Sequence, residues 1–134
     1  MMLYLDNAAT TLKKPLLVYA TLFKSTLFSG GNAGRGGHKM SMDAVRAIVD
    51  TQDLIAQLFN IKKAENIVFT QNATYALNTA ILGTMSNGGH IVVTEMDHNS
   101  VLRPACLSGN YTVVKADKSG YVHAEEVEKA VRKD

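Results

Sequence analysis

Apolar positions along the chain alternate between helical and extended spacing, with polar or glycine-rich breaks between them. Val18, Leu22 and Phe23 share a helical face, which predicts a helix reaching about Phe28. Lys14-Pro15 favours its start, because proline fits the first turn of a helix. Val45, Ile48, Val49, Gln52, Ile55, Leu58 and Phe59 recur at steps of three and four, with one polar member, and predict a second helix from about Ser41 to Asn60. After a link at 61–65, short strands and helices alternate. Asn66-Ile67-Val68-Phe69-Thr70 reads as a buried-type strand, and Ala73 to Thr84 as a helix of small and apolar residues. His90 to Thr94 reads as a second strand, and Ser100 to Leu107 as a short helix with Pro104 in about its first turn. Tyr111 to Lys115 is a third strand, and Val122 to Arg132 a last helix. Met1 to Leu5 is short and apolar, a weak strand or an arm.

The breaks are chemically distinct. Asp6-Asn7-Ala8-Ala9-Thr10-Thr11 has the side chains that bond their own backbone in turns. Five glycines between Ser29 and Gly37 exclude a regular element, since glycine loses so much backbone entropy on ordering. Asn87-Gly88-Gly89 ends one helix, and Ser108-Gly109-Asn110 and Asp117-Lys118-Ser119-Gly120 are turns. Three strands separated by helices predict an α/β fold with parallel strands. Three strands are few for that class, and the pattern runs out inside a helix at Val131-Arg132-Lys133-Asp134 with no C-cap residue. A truncated domain and a complete small protein with a frayed last helix both fit that pattern.

Composition narrows the function classes. The 134 residues carry 14 Lys+Arg against 12 Asp+Glu, and a net charge of +2 is too weak to imply nucleic acid or an anionic membrane as a partner. The most apolar stretch, Leu16 to Phe28, contains Lys24 and falls short of the roughly 20 residues a bilayer requires. Asp6 arrives before any signal-like apolar core, and the single cysteine, Cys106, gives no intrachain disulfide. Together these predict a cytoplasmic protein in a reducing compartment. Cys106, between Ala105 and Leu107, reads as a small buried hydrophobe. The four scattered histidines have no metal-ligand spacing.

Two segments suggest chemistry on their own residues. At Phe69-Thr70-Gln71-Asn72-Ala73-Thr74 a strand gives way to a helix whose first amides lack carbonyl partners. Gln71 or Asn72 is placed to cap, leaving the amides of Ala73 and Thr74 and the Thr74 hydroxyl to hold an anion such as phosphate. An ordinary capped structural helix explains the same residues. Asp97-His98-Asn99-Ser100 stands in the same relation to the second strand, and an imidazole there is suited to stack on a flat ligand or to shuttle a proton. Surface turn chemistry, with Asp97 or Asn99 capping, is the alternative. The loop Gly30-Gly31-Asn32-Ala33-Gly34-Arg35-Gly36-Gly37 lacks both the Gly-Lys-Ser/Thr of a P-loop and the preceding strand of a dinucleotide fingerprint. Arg35 is able to reach an anion from it, or the loop is a solvated linker.

These motifs, in this order, resemble the cysteine desulfurases of the class V aminotransferase family. Tyr4-Leu5-Asp6-Asn7-Ala8-Ala9-Thr10-Thr11 with Lys14-Pro15 looks like the family's opening, and Asn32-Ala33-Gly34-Arg35-Gly36-Gly37-His38 like its glycine-rich segment. Ile67 to Asn78 is similar to its phosphate-site segment, and Glu95 to Pro104 to the segment with the ring-stacking histidine. The resemblance implies part of the large domain of a pyridoxal 5'-phosphate (PLP) enzyme, with an arm, helix and glycine loop at 1–37 and the beginning of the PLP-binding domain at 38–134. It implies that Ala73 and Thr74 hold the phosphate, that His98 stacks on the ring and assists proton transfer as the catalytic residue, and that Asn7, Ala8 and Ala9 line the substrate side.

The same resemblance implies conversion of L-cysteine to L-alanine with an enzyme persulfide. Another class V aminotransferase, a selenocysteine lyase-like enzyme, or a non-catalytic fragment with a structural or interaction role are the alternatives. Relatives are about three times longer, and the lysine that anchors PLP covalently lies beyond residue 134 in them. The expectation is therefore a chain inactive alone, associated as a homo-oligomer or with a chain carrying the remainder. Strand 67–70 is expected to lack its neighbours, and unpaired edges recruit other chains or force repacking.

Overall fold

The computed structural model describes residues 3–133. Helices α1 (Leu16–Phe28), α2 (Lys39–Leu58) and α3 (Ala73–Met85) precede strand β1 (Ile91–Thr94), helix α4 (Asn99–Ser108), strand β2 (Tyr111–Val114) and helix α5 (Ala124–Ala130). The chain packs as two units, Met1–Val68 and Phe69–Asp134.

In the first unit, Pro15 occupies the N-cap position of α1 and its carbonyl accepts the Val18 amide at 2.9 Å. The apolar face read from the sequence is present but uncovered: Leu22 is 65% and Phe23 69% exposed, and α1 buries no residue. Helix α2 begins at His38, whose Nδ1 accepts the Ser41 amide at 3.4 Å. The buried Ser41 hydroxyl donates to the Asn32 carbonyl at 2.6 Å, and the Asn32 side chain accepts the Gly34 amide at 2.8 Å. A β-carbon on Gly31 would stand 2.3 Å from the Met40 carbonyl carbon. The glycine segment is therefore folded onto the start of α2 and is not a solvated linker. The helix ends as the sequence predicts: Asn60 adopts φ 54°, and the Ile61 amide returns to the Ala56 carbonyl at 2.8 Å.

The strand expected at 66–70 does not form. Asn66 closes a single 3-10 turn (Ala64–Asn66), and 67–70 pair with no strand among the described residues. The Ile67 carbonyl instead accepts the Gln52 side-chain amide at 2.7 Å, so the one polar member of the α2 stripe satisfies it. Val68 is 79% exposed. A strand exists only with a hydrogen-bonding neighbour, and this segment has none. Of the apolar segment at 1–5, Met1 and Met2 lie outside the described residues, and Leu3 to Leu5 form no strand.

The second unit is an α/β arrangement of two parallel strands where three were expected. β1 and β2 pair in register from Ile91↔Tyr111 to Thr94↔Val114, with α4 as the crossover that parallel neighbours require. α4 packs on both strands, α3 on α4, and α5 on β2. Val93, Ala105 and Val114 are buried, as is Pro104. Gly109, at φ 78°, terminates α4 in the left-handed conformation that glycine adopts without a Cβ penalty.

Two sequence expectations about α4 are corrected. Pro104 is not in the first turn but is the sixth residue of a helix that starts at Asn99. It has no amide hydrogen to give the Ser100 carbonyl, and the Asn78 side-chain amide donates to that carbonyl at 3.2 Å in its place. Cys106 is exposed, not buried. The inward positions of α4 are Ser100, Pro104 and Ala105, and the 100° step per residue carries the next side chain outward.

Candidate functional site

The site in the second unit is assembled from the beginnings of α3 and α4. The Asn72 side-chain oxygen accepts the Tyr75 amide at 2.8 Å, and its backbone carbonyl accepts the Thr70 hydroxyl at 3.0 Å and the Ala76 amide at 3.1 Å. Asn72 rather than Gln71 is the cap. Among the described residues, the Ala73 and Thr74 amides donate to nothing, which leaves two N–H groups at the positive end of a 13-residue helix dipole.

At the carboxyl end of β1, the Asp97 carboxylate accepts the Thr94 amide at 2.7 Å and so closes the turn. His98 then caps α4, a position the sequence reading offered to Asp97 or Asn99. Its Nδ1 accepts the Ser100 amide at 3.1 Å and lies 2.9 Å from the Ser100 hydroxyl. A backbone amide only donates, so Nδ1 presents its lone pair and the proton of the neutral ring is on Nε2.

Thr74, Asn78, His98, Asn99, Ser100 and Arg103 line one cavity of about 430 Å³. Two residues expected to act together, Thr74 and His98, are thus on one cavity wall. Asn78 and Arg103 were not singled out from the sequence. Each lies one helical turn beyond a residue that was: Asn78 four after Thr74, and Arg103 four after Asn99. That spacing was the available signal. Among the described residues no carboxylate lines this cavity, and Arg103 contributes a cation.

In the first unit, Asn7 lines a separate cavity of about 230 Å³ with Tyr4, Thr11, Leu12 and Lys13. Ala8 and Ala9 are exposed at a bend. Lys14 Nζ donates to the Thr11 carbonyl at 2.7 Å and to the Thr10 hydroxyl at 3.1 Å, across the bend at Leu12 and Lys13. A further cavity of about 570 Å³ lies between β2 and α5, lined by Lys115, Asp117, His123, Glu126 and Lys129 among others. No helix among the described residues is long and apolar enough to cross a membrane.

The class V aminotransferase family model matches residues 3–134. A probable cysteine desulfurase of Aeropyrum pernix is 39% identical over 105 residues, covering 75% of this chain and 25% of that protein. The cysteine desulfurase IscS of Dictyoglomus turgidum is 31% identical over 140 residues, covering 98% of this chain and 34% of its own length. Among solved structures, a NifS-like protein superposes with a TM-score of 0.83 at 25% identity, over 100% of this chain and 38% of that one. The apo cysteine desulfurase of Thermococcus onnurineus gives 0.78 at 28% identity, over 93% and 33%. The chain therefore spans about a quarter to two fifths of the proteins it resembles. With the motif order, the α/β topology and the match over nearly every residue in agreement, the chain belongs to the class V aminotransferase family and corresponds to part of its PLP-dependent fold.

Proposed function

We propose that this chain forms the phosphate- and ring-binding portion of a PLP-dependent cysteine desulfurase. The observation that carries the reading is the shared cavity of Thr74 and His98, at the mouth of a helix with two unused amides. The residues suit PLP in charge and in hydrogen-bonding groups. Ala73 and Thr74 supply amides and a hydroxyl for a phosphate dianion, and Arg103 adds positive charge on the same wall. His98 presents a flat ring held through Nδ1 by the α4 cap, able to lie against a pyridine ring and to pass a proton through Nε2. When bound, the cofactor supplies the electron sink for chemistry at the substrate's α-carbon. Asn7, Ala8 and Ala9 would border the L-cysteine substrate, and the division at residues 37 and 38 follows the same family likeness. In the whole protein the reaction is L-cysteine to L-alanine with an enzyme persulfide. The protein acts in the cytoplasm as a homo-oligomer or with a chain that completes the domain.

Pyridoxine 5'-phosphate tests the site directly, since it lacks the aldehyde that would react with lysines indiscriminately. Titrated into the 134-residue chain, it should shift the Ala73 and Thr74 amide and the His98 ring resonances together. Thr74→Val should weaken it about 10-fold or more, the scale of a lost hydrogen bond to a charged group. His98→Asn keeps a capping side chain but removes the ring. It should weaken pyridoxine 5'-phosphate while sparing inorganic phosphate. Probe binding that leaves both loops unshifted would overturn the reading.

A further inference from the structure

We infer that Asn78 is a positioning residue that locks the ring-facing histidine to the phosphate-binding turn, using a carbonyl that Pro104 sets free. The inference rests on the reading of Thr74 and His98 given above. The Asn78 side-chain amide donates twice, to the Thr74 carbonyl at 2.9 Å and to the Ser100 carbonyl at 3.2 Å. The first acceptor belongs to the turn of α3 that carries the free amides. The second belongs to the residue whose own amide and hydroxyl meet His98 Nδ1. One planar amide therefore joins the two halves of the site, through three residues that all line the same cavity.

In an unbroken helix the Ser100 carbonyl would accept the amide four residues on. Residue 104 is a fully buried proline with no amide hydrogen, and Ser100 is itself buried. A buried carbonyl left without a donor is costly, so the proline creates a demand that Asn78 meets from the neighbouring helix. Pro104 and Asn78 thus work as a pair across the α3–α4 contact. The pair sets the separation between the anion-binding amides and the imidazole, a separation that matters only to a ligand touching both.

Asn78→Ala in the 134-residue chain should weaken pyridoxine 5'-phosphate by about 5- to 10-fold, within the range of coupling between contacting residues. It should leave inorganic phosphate, which needs only the α3 turn, within about 2-fold. In a Pro104→Ala background the residue-104 amide returns to the Ser100 carbonyl, and Asn78→Ala should then cost less than about 2-fold. Equal losses for both probes, or the same loss in both backgrounds, would overturn the inference and leave Asn78 a merely structural residue. A second measurement decides if Pro104→Ala does not fold. Asn78→Ala alone should speed hydrogen exchange at Val101 and Leu102, whose amides close the first turn of α4 on the His98 carbonyl, and shift the His98 ring resonance. No change in either would overturn the coupling. Should the wild-type chain bind neither probe, the cofactor reading falls, while the exchange and ring measurements still decide whether Asn78 holds His98.

Discussion

Gly31 has backbone where a side chain would go. A β-carbon there meets the Met40 carbonyl carbon and oxygen, both at 2.3 Å, and no rotamer relieves a clash with backbone. Gly37, six residues on, has nothing within 4 Å of its β-carbon position. Gly31→Ala should therefore destabilise the first unit by about 1–3 kcal/mol, the range for overpacking. Gly37→Ala should stay within about 0.5 kcal/mol, as for surface changes. Urea melts of the two variants, read with amide exchange across 31–41, separate them, and equal stability would refute the close packing. The sequence shows five glycines in this segment but not which of them is pressed against α2. His38 and His98 make the same point. Both cap helices through Nδ1, a task a sequence reader gives first to Ser, Thr, Asp or Asn.

At the scale of elements, the helices follow their spacing closely because their hydrogen bonds are local. The Asp117 turn is equally self-contained. Its carboxylate accepts the Ser119 hydroxyl at 2.6 Å, the Ser119 amide at 2.8 Å and the Tyr121 amide at 3.0 Å, before α5 begins. The bond from the Ser119 hydroxyl, with help from the two amides, holds the carboxyl down at about 2 against an ordinary 3.8. A depressed carboxylate stabilises the fold above its unfolded value, and that contribution disappears as pH falls through the folded one. The turn should therefore loosen between about pH 4 and pH 2, seen as upfield movement of the Ser119 and Tyr121 amides and as lower protection relative to their intrinsic exchange rates. Asp117→Ala should show the loosened state at neutral pH and no such transition. A transition that persists in the variant would assign it to another group. Strand 67–70 marks where element-level reading fails. Its apolar run is strand-like, yet a strand needs a partner from elsewhere in the chain, and none of the described residues provides one.

At the scale of the whole chain, apolar surface and length point the same way. α1 buries nothing, and Leu22, Phe23 and Val68 are each more than half exposed. The relatives it resembles are roughly three to four times as long as the stretch it covers. Turnover requires a covalent anchor and an electronic partner for the cofactor ring. The 134 residues, supplied with PLP and L-cysteine, should release no sustained L-alanine. Continued alanine production over many equivalents would show that they hold a complete catalytic set.

Spacing, turn residues and motif order by themselves determined the five helices, the family, and the candidates Gln71 or Asn72, Ala73, Thr74 and His98. The helices and the candidates rest on residues within a turn or two of one another, and the family on the order of such local motifs. Tertiary structure alone decided that Cys106 faced outward, that two of the three expected strands paired while 67–70 stayed unpaired, and that Asn78 answered the carbonyl left by Pro104. Each of those depends on a neighbour brought in by packing: a strand edge, a core face, or a helix laid alongside. The separation of the two lists is the separation between hydrogen bonds that close within a few residues and those that wait for a distant segment to arrive.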